Sequence, residues 1–394
     1  MSTKSLKMKL KVKAILTFVL VGLLTISCSD SKSENTTSVA VNDDQFRAYP
    51  IDVENRPTAF TDLIDNVEIL ALEETGEAKL SDILSFERGE DGKLFFSTAR
   101  KGEVFLYTQD GKFINEFSHR GSTLKEYQFI QSSWVNSDSI SIYFNKRLVT
   151  YNIEGEEIGR INLPFKPTHL FPYQDGYVAN MNYYPYQDSL FYNVLFMDKE
   201  FNVEAMANPN TGLLRVPMLL SINSFKPYKE DLTYHSVFSD TIFYLKDKKS
   251  KPIAQIDFGK DWFWSGEGVT MQDPSMMSRI REEGLVWAMN PFVNDELIYL
   301  NYYTSLADHS QLVLNRRTRG YEILDLKMEG DQQYSLAPLA WEGDRLLFSL
   351  QPEDLPELLT DLGKERYKLH DGTSMEGIKS SQNPVLLWVK FKEF

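Results

Sequence analysis

Residues 92–117, GKLFFSTARKGEVFLYTQDGKFINEF, contain three short runs of strand-forming residues, at 93–97, 103–108 and 113–117. Turns at Arg100-Lys101-Gly102 and Gln109-Asp110-Gly111 separate them, and Asp-Gly between alternating apolar runs is a strong hairpin signal. A lone three-stranded meander cannot bury its own apolar faces. It becomes stable when copies stack side by side, which is the arrangement of a β-propeller blade. Whatever this chain folds into must supply those copies.

The copies follow along the sequence. Aligned on Tyr107, equivalent positions fall at Tyr151, Met197, Leu245, Leu314 and Trp388, at spacings of 44, 46, 48, 69 and 74 residues. The first three match the period of about 40–50 residues expected of propeller blades. Each of the two long intervals carries an insertion with helical composition. One is 273–290, DPSMMSRIREEGLVWAMN; the other is 352–369, in which Leu355, Leu358, Leu359 and Leu362 recur at helical spacing. Removing them restores a near-regular period and gives six units. The sixth lacks an outer strand of its own, and the early run 67–72 is free to pair with 384–391 and close the ring. The expected fold is all-β: a six-bladed β-propeller of four-stranded antiparallel blades with two helical insertions, over residues 61–394.

The N-terminus reads as an address. Five lysines (Lys4, Lys7, Lys9, Lys11, Lys13) precede the apolar run 14–24, which is shorter than the roughly 20 residues that span a bilayer. Leu24-Thr25-Ile26-Ser27-Cys28 then resembles a bacterial lipobox, with Thr25 where leucine is commoner. The resemblance implies that residues 1–27 are a lipoprotein signal peptide and that Cys28 becomes the lipidated first residue. An ordinary signal peptide with an incidental cysteine is the plainer alternative. Residues 28–60 are largely polar and unpatterned, as expected of a flexible tether.

Cys28 is the one cysteine, so no intramolecular disulfide or thiolate metal cluster is available. The formal charge is −14, and without the five lysines of residues 1–27 there remain 37 basic against 56 acidic residues, a net −19. A chain this acidic is repelled by a phosphate backbone, which disfavours nucleic acid as a partner.

The runs NVEILALEE, DGKFINEFSHRGSTLKEYQFI, FSDTIFYL, PIAQIDFGK and NPVLLWVKF, in this order, resemble the six-bladed β-propeller lipoproteins of Bacteroidota-type bacteria with NHL-like repeats. The likeness covers about residues 60–394. It implies the fold and an envelope location, outer membrane first, but no established activity.

Local motifs for chemistry are missing: there is no Gly-rich phosphate loop, HExxH, GxSxG or EF-hand loop. The five histidines (His119, His169, His235, His309, His370) lie in different repeats, so only a composite site near the axis would unite them. No cofactor or metal is expected. The candidate ligand contacts are aromatic. Tyr183, Tyr184 and Tyr186 leave one blade strand, and Tyr302 and Tyr303 leave an equivalent one; tyrosine offers a flat apolar face with a polar tip. Packing between blades is the plainer reading of both. Trp262 and Trp264 alternate along 261–265, which puts them on one face if the segment is a strand, either as an exposed platform or as inter-blade core. Met271, Met276 and Met277 in the following insertion would lid such a platform. Two functions fit: a membrane-anchored module binding a glycan, a peptide or an envelope protein, or a glycan- or peptide-acting lyase or hydrolase with its site at the channel mouth.

Overall fold

Strands buried on both faces read as continuous apolar runs, and the middle strands of this protein do so. Leu94–Thr98 has every residue buried, and Ser139–Phe144, Tyr192–Met197 and Val385–Phe391 come close. Such strands need a partner sheet on each side, which stacked blades provide. The computed structural model describes residues 45–394 except 76–78, 82, 99–100, 124–125, 188, 211–222, 266–274, 307 and 329–331. Six antiparallel sheets stand in a ring: blades 1 to 4 at 83–118, 132–162, 169–209 and 225–257, blade 5 at 288–325, and blade 6 built from 337–350, 385–391 and the early strand Ile64–Ala71. The first strands of blades 1, 2 and 3 abut in turn, as do those of blades 5, 6 and 1. A hydrophobic cluster fills the interface between every pair of neighbouring blades, six in all.

Ring closure takes the form the sequence led us to expect. Ile64–Ala71 lies antiparallel to Val385–Phe391, with Ala71 opposite Val385 and Ile64 opposite Phe391. Ile64, Val67, Ile69 and Leu70 are all buried in the seam. The alignment positions Tyr107, Tyr151, Met197, Leu245, Leu314 and Trp388 all fall on the third strand of their blades.

Two expectations need correction. Blades 4, 5 and 6 carry a fifth strand at the outer edge, each added in parallel: Arg47–Pro50 on Lys249–Asp257, Thr58–Ala59 on Tyr321–Asp325, and Tyr367–Leu369 on Ile64–Ala71. Residues 47–59 are therefore a strap across the outside of blades 4 and 5, where a tether reaching residue 60 was expected. Tyr49 and Ile51 anchor it by burial, and the Asp52 backbone N–H donates to the Tyr321 hydroxyl at 2.8 Å. A strand added to an existing edge takes its hydrogen bonds from that edge, so it needs little apolar pattern of its own. Residues 1–44, with Cys28 and the segment expected to be a signal peptide, lie outside the described residues.

The helical insertions differ in extent. In the second, Leu355–Leu362 forms a helix with Leu355, Leu358, Leu359 and Leu362 all buried. In the first, Met276–Glu282 is the helical part among the described residues; from Ala288 the chain is already the inner strand of blade 5.

Candidate functional site

Antiparallel order puts the connections between first and second and between third and fourth strands at one end of each blade. The remaining connections emerge at the other. On the first face, here the turn face, no connection exceeds five residues. The opposite, loop face carries 181–191, 258–287 and 351–384. The aromatic candidates gather there. Tyr183 lies 5.9 Å from Phe238, Phe238 lies 4.8 Å from Trp264, and Trp287 lies 6.3 Å from Tyr303, centroid to centroid. The helix Met276–Glu282 packs on this cluster through Met276 and Ile280, with Met277 beside them. The cluster is thus a roof over part of the loop face, held by its own helix. Met271 lies outside the described residues.

The other candidates disperse. Trp262 and Trp264 do not share a strand face, because 259–261 and 263–265 are 3-10 turns. Trp262 stacks on Phe258 in the core between blades 4 and 5, whereas Trp264 donates its indole N–H to the Trp287 carbonyl at 2.7 Å. Tyr302 is core on the same side as Trp262. Tyr186 packs edge-on against Phe165, and Tyr184 is exposed. Tyr183, Tyr184 and Tyr186 follow the second strand of blade 3, Gly176–Asn180, and Tyr302 and Tyr303 end the second strand of blade 5, Leu297–Tyr303.

Beneath the roof lies a polar layer that sequence reasoning did not single out. The Tyr183 hydroxyl accepts from Ser236 Oγ at 2.8 Å, and the neighbouring His235 is buried. Asn180, also buried, donates to Ser224 Oγ at 2.8 Å across blades 3 and 4. Lys226, on the inner strand Phe225–Tyr228, reaches toward blade 5. Its Nζ donates to Asn290 Oδ1 at 2.6 Å and to the Asn223 carbonyl at 3.1 Å, and sits 4.5 Å from the Phe292 ring centroid. Its side chain is half-buried between blades 4 and 5. Burial pushes its ammonium down to about 7. His169, on the inner strand of blade 3, and His235 both lie close enough to feel its charge. Burial first, and then that charge, holds His169 down at about 4; burial holds His235 at about 3. Both are neutral at pH 7. The Nδ1 atom of each is buried without a hydrogen-bond partner.

A second polar station sits further along the axis between blades 1 and 2. Ser85, Ser97 and Ser133 join their hydroxyls at 2.6–3.1 Å, and Glu87 accepts from the Val135 N–H at 2.8 Å. Burial raises the Glu87 carboxyl to about 8. A wider cleft between blades 6 and 1, lined by Arg88, Glu342, Arg345 and Trp388, has its main charges matched internally, Arg88 to Glu342 and Arg345 to Glu68. Among the described residues no three His, Cys, Asp or Glu side chains are placed to hold a metal ion.

The fold is a six-bladed β-propeller whose inner strands carry a layer of polar side chains beneath an aromatic roof on one face. The chain belongs to the family described as a domain of unknown function, DUF4934, whose sequence pattern matches residues 48–390 and so includes the strap. Among solved structures it is similar to a protein from Bacteroides fragilis described as exported, at 14% identity and a TM-score of 0.66, covering 89% of this chain and 100% of that one. A member of the duf4221 family from Bacteroides vulgatus shares 14% identity at a TM-score of 0.45, over 83% of this chain and 98% of that one. A virginiamycin B lyase from Staphylococcus aureus shares 11% at 0.38, over 84% and 97%. No curated protein matches.

Proposed function

We propose that this protein is a ligand-binding propeller working outside the cytoplasm, held to the outer membrane through a lipidated Cys28, with its ligand seated at the loop-face mouth of the axial channel. The observation that carries this reading is the asymmetry of the ring. All long connections rise on one face, and a layer of incompletely partnered polar side chains lies beneath them at the axis. Pockets that combine apolar walls with a few convergent polar groups are the usual form of a small-molecule site. The lipobox-like LTISC and the exported B. fragilis relative support the address. Lys226 also favours a second reading, a lyase or hydrolase, because an amine whose pKa lies near 7 is a competent general base.

A thermal-shift screen of the full chain in detergent against glycan fragments and peptides tests binding. A ligand at 100 times its Kd adds about 2.7 kcal/mol of stability. Product formation in the same mixtures would turn the assignment to the enzyme. The anchor is tested by Cys28→Ala, which should move the protein from the membrane pellet to the soluble fraction; a variant still wholly in the pellet would contradict it.

A further inference from the structure

Lys226 is a cation without a counter-ion. No carboxylate among the described residues lies within 4 Å of it, and its two acceptors, the Asn223 carbonyl and Asn290 Oδ1, are neutral. Two of its three N–H groups are thereby used, and the Asn290 amide nitrogen has no partner among the described residues. A buried ammonium lacking an opposite charge is costly, and a carboxylate brought in by a ligand would relieve that cost. The histidines add a second demand. The His235 Nε2 meets the Ser239 carbonyl at 2.8 Å, and a carbonyl can only accept, so Nε2 carries the proton. The His235 Nδ1 is then a bare acceptor that calls for a hydroxyl or N–H.

We infer that the polar layer beneath the loop face binds a small hydroxylated carboxylate, a sugar acid in chemical class, with its carboxylate on Lys226 Nζ and the Asn290 amide and its hydroxyls toward the histidine side. A single lysine matches a monoanion; a phosphate dianion would be left half-neutralised. The inference deepens the ligand-binding reading above and rests on it. It also fixes a pH dependence. Binding a carboxylate raises the Lys226 pKa, so affinity is full below the free value near 7 and falls as pH rises past it. The other groups facing Lys226 do not titrate in that range. His169 from blade 3 and His235 from blade 4 stay neutral above pH 5, and blade 5 supplies Asn290 and Phe292.

The test is calorimetric titration of the full chain in detergent with sodium glucuronate, at pH 6 and pH 9, with glucose and N-acetyl-alanyl-alanine alongside. Glucuronate should bind at pH 6 at least ten-fold more tightly than glucose or the peptide acid, and at least ten-fold more tightly than at pH 9. Lys226→Met should remove that preference. Asn290→Asp, which supplies an internal counter-ion, should weaken glucuronate at least ten-fold even if the methionine variant folds poorly. Equal glucuronate binding by wild type and a folded Lys226→Met, or tighter binding of the peptide acid, would overturn the inference. Neutral glycans that stabilise wild type and Lys226→Met alike would overturn it too, while leaving the loop face a binding surface. Silence from all three compounds would overturn the inference, while the wider screen of glycan fragments and peptides decides the binding reading.

Discussion

The two faces of the ring are made from the same strands and differ in almost everything else. On the turn face, connections are short and their residues are committed to holding neighbours together: the Gly111 carbonyl accepts from the Glu73 N–H at 2.8 Å, and Gly155 packs against Phe117 of the preceding blade. On the loop face, connections are long and build structure of their own, including the Leu355–Leu362 helix, the aromatic roof and the layer around Lys226. The contrast separates residues that make a ring from residues that give the ring something to do. It also shows that length is not ornament, since the Leu355–Leu362 helix is continuous with the core between blades 5 and 6.

The sharpest way to test that last point is Leu358→Ala. The side chain is 1% exposed within that core, and its truncation should cost about 2–5 kcal/mol in urea denaturation. A loss under about 0.5 kcal/mol would make the insertion an appendage. The turn face should show its own grading. Gly111 has φ of 77°, and a Cβ there would meet the Ala71 carbonyl of the closing strand, whereas Gly343 has φ of 63° with open space around it. Gly111→Ala should therefore cost about 2–3 kcal/mol and Gly343→Ala about 1 kcal/mol, read as shifts in midpoint; equal shifts would deny the turn its joining role.

The effect that depends on pH concerns the axis that both faces share. The folded-state pKa of Glu87, about 8, lies above its ordinary 4.5, so the native state holds this proton more tightly than the unfolded chain. Wild-type stability is thus undiminished below pH 4.5 and declines as pH rises toward 8. Glu87→Gln keeps an acceptor for the Val135 N–H and loses that slope. Its advantage should be near zero at pH 4.5 and on the order of 3–4 kcal/mol at pH 8; parallel stability curves would show Glu87 to be ionised in the fold.

What could be read from the sequence follows burial. The second, third and fourth strands of blade 1 were legible because their apolar runs are separated by Gly turns. The Leu355–Leu362 helix was legible because four leucines share one face. The inner strands were not: FKPY, HLFPY and SSWVN mix apolar residues with Lys226, His169, Ser133 and prolines. A strand that lines a wet axis has no reason to alternate cleanly. The polar layer escaped for the same reason, compounded by distance, since Lys226 and Asn290 are 64 positions apart and His169 comes from a third blade. Tyr183, Trp264 and Tyr303 were found, and they do meet, but in a roof sealed by Met276 and Ile280. The strap escaped because an edge strand of four residues borrows its order from its neighbour.

The closing strand has a consequence in time as well as in space. Contacts across the seam join positions 310 to 330 apart, such as Asn383 with Glu73 and Lys392 with Asp62. In synthesis from the N-terminus the strand Ile64–Ala71 is made early, and its partner Val385–Phe391 is made last of the blade strands. Until the final residues emerge, blade 6 lacks its third strand and Ile64–Ala71 is an apolar strand without its mate. Such long-range pairing is slow and leaves edges open to other chains.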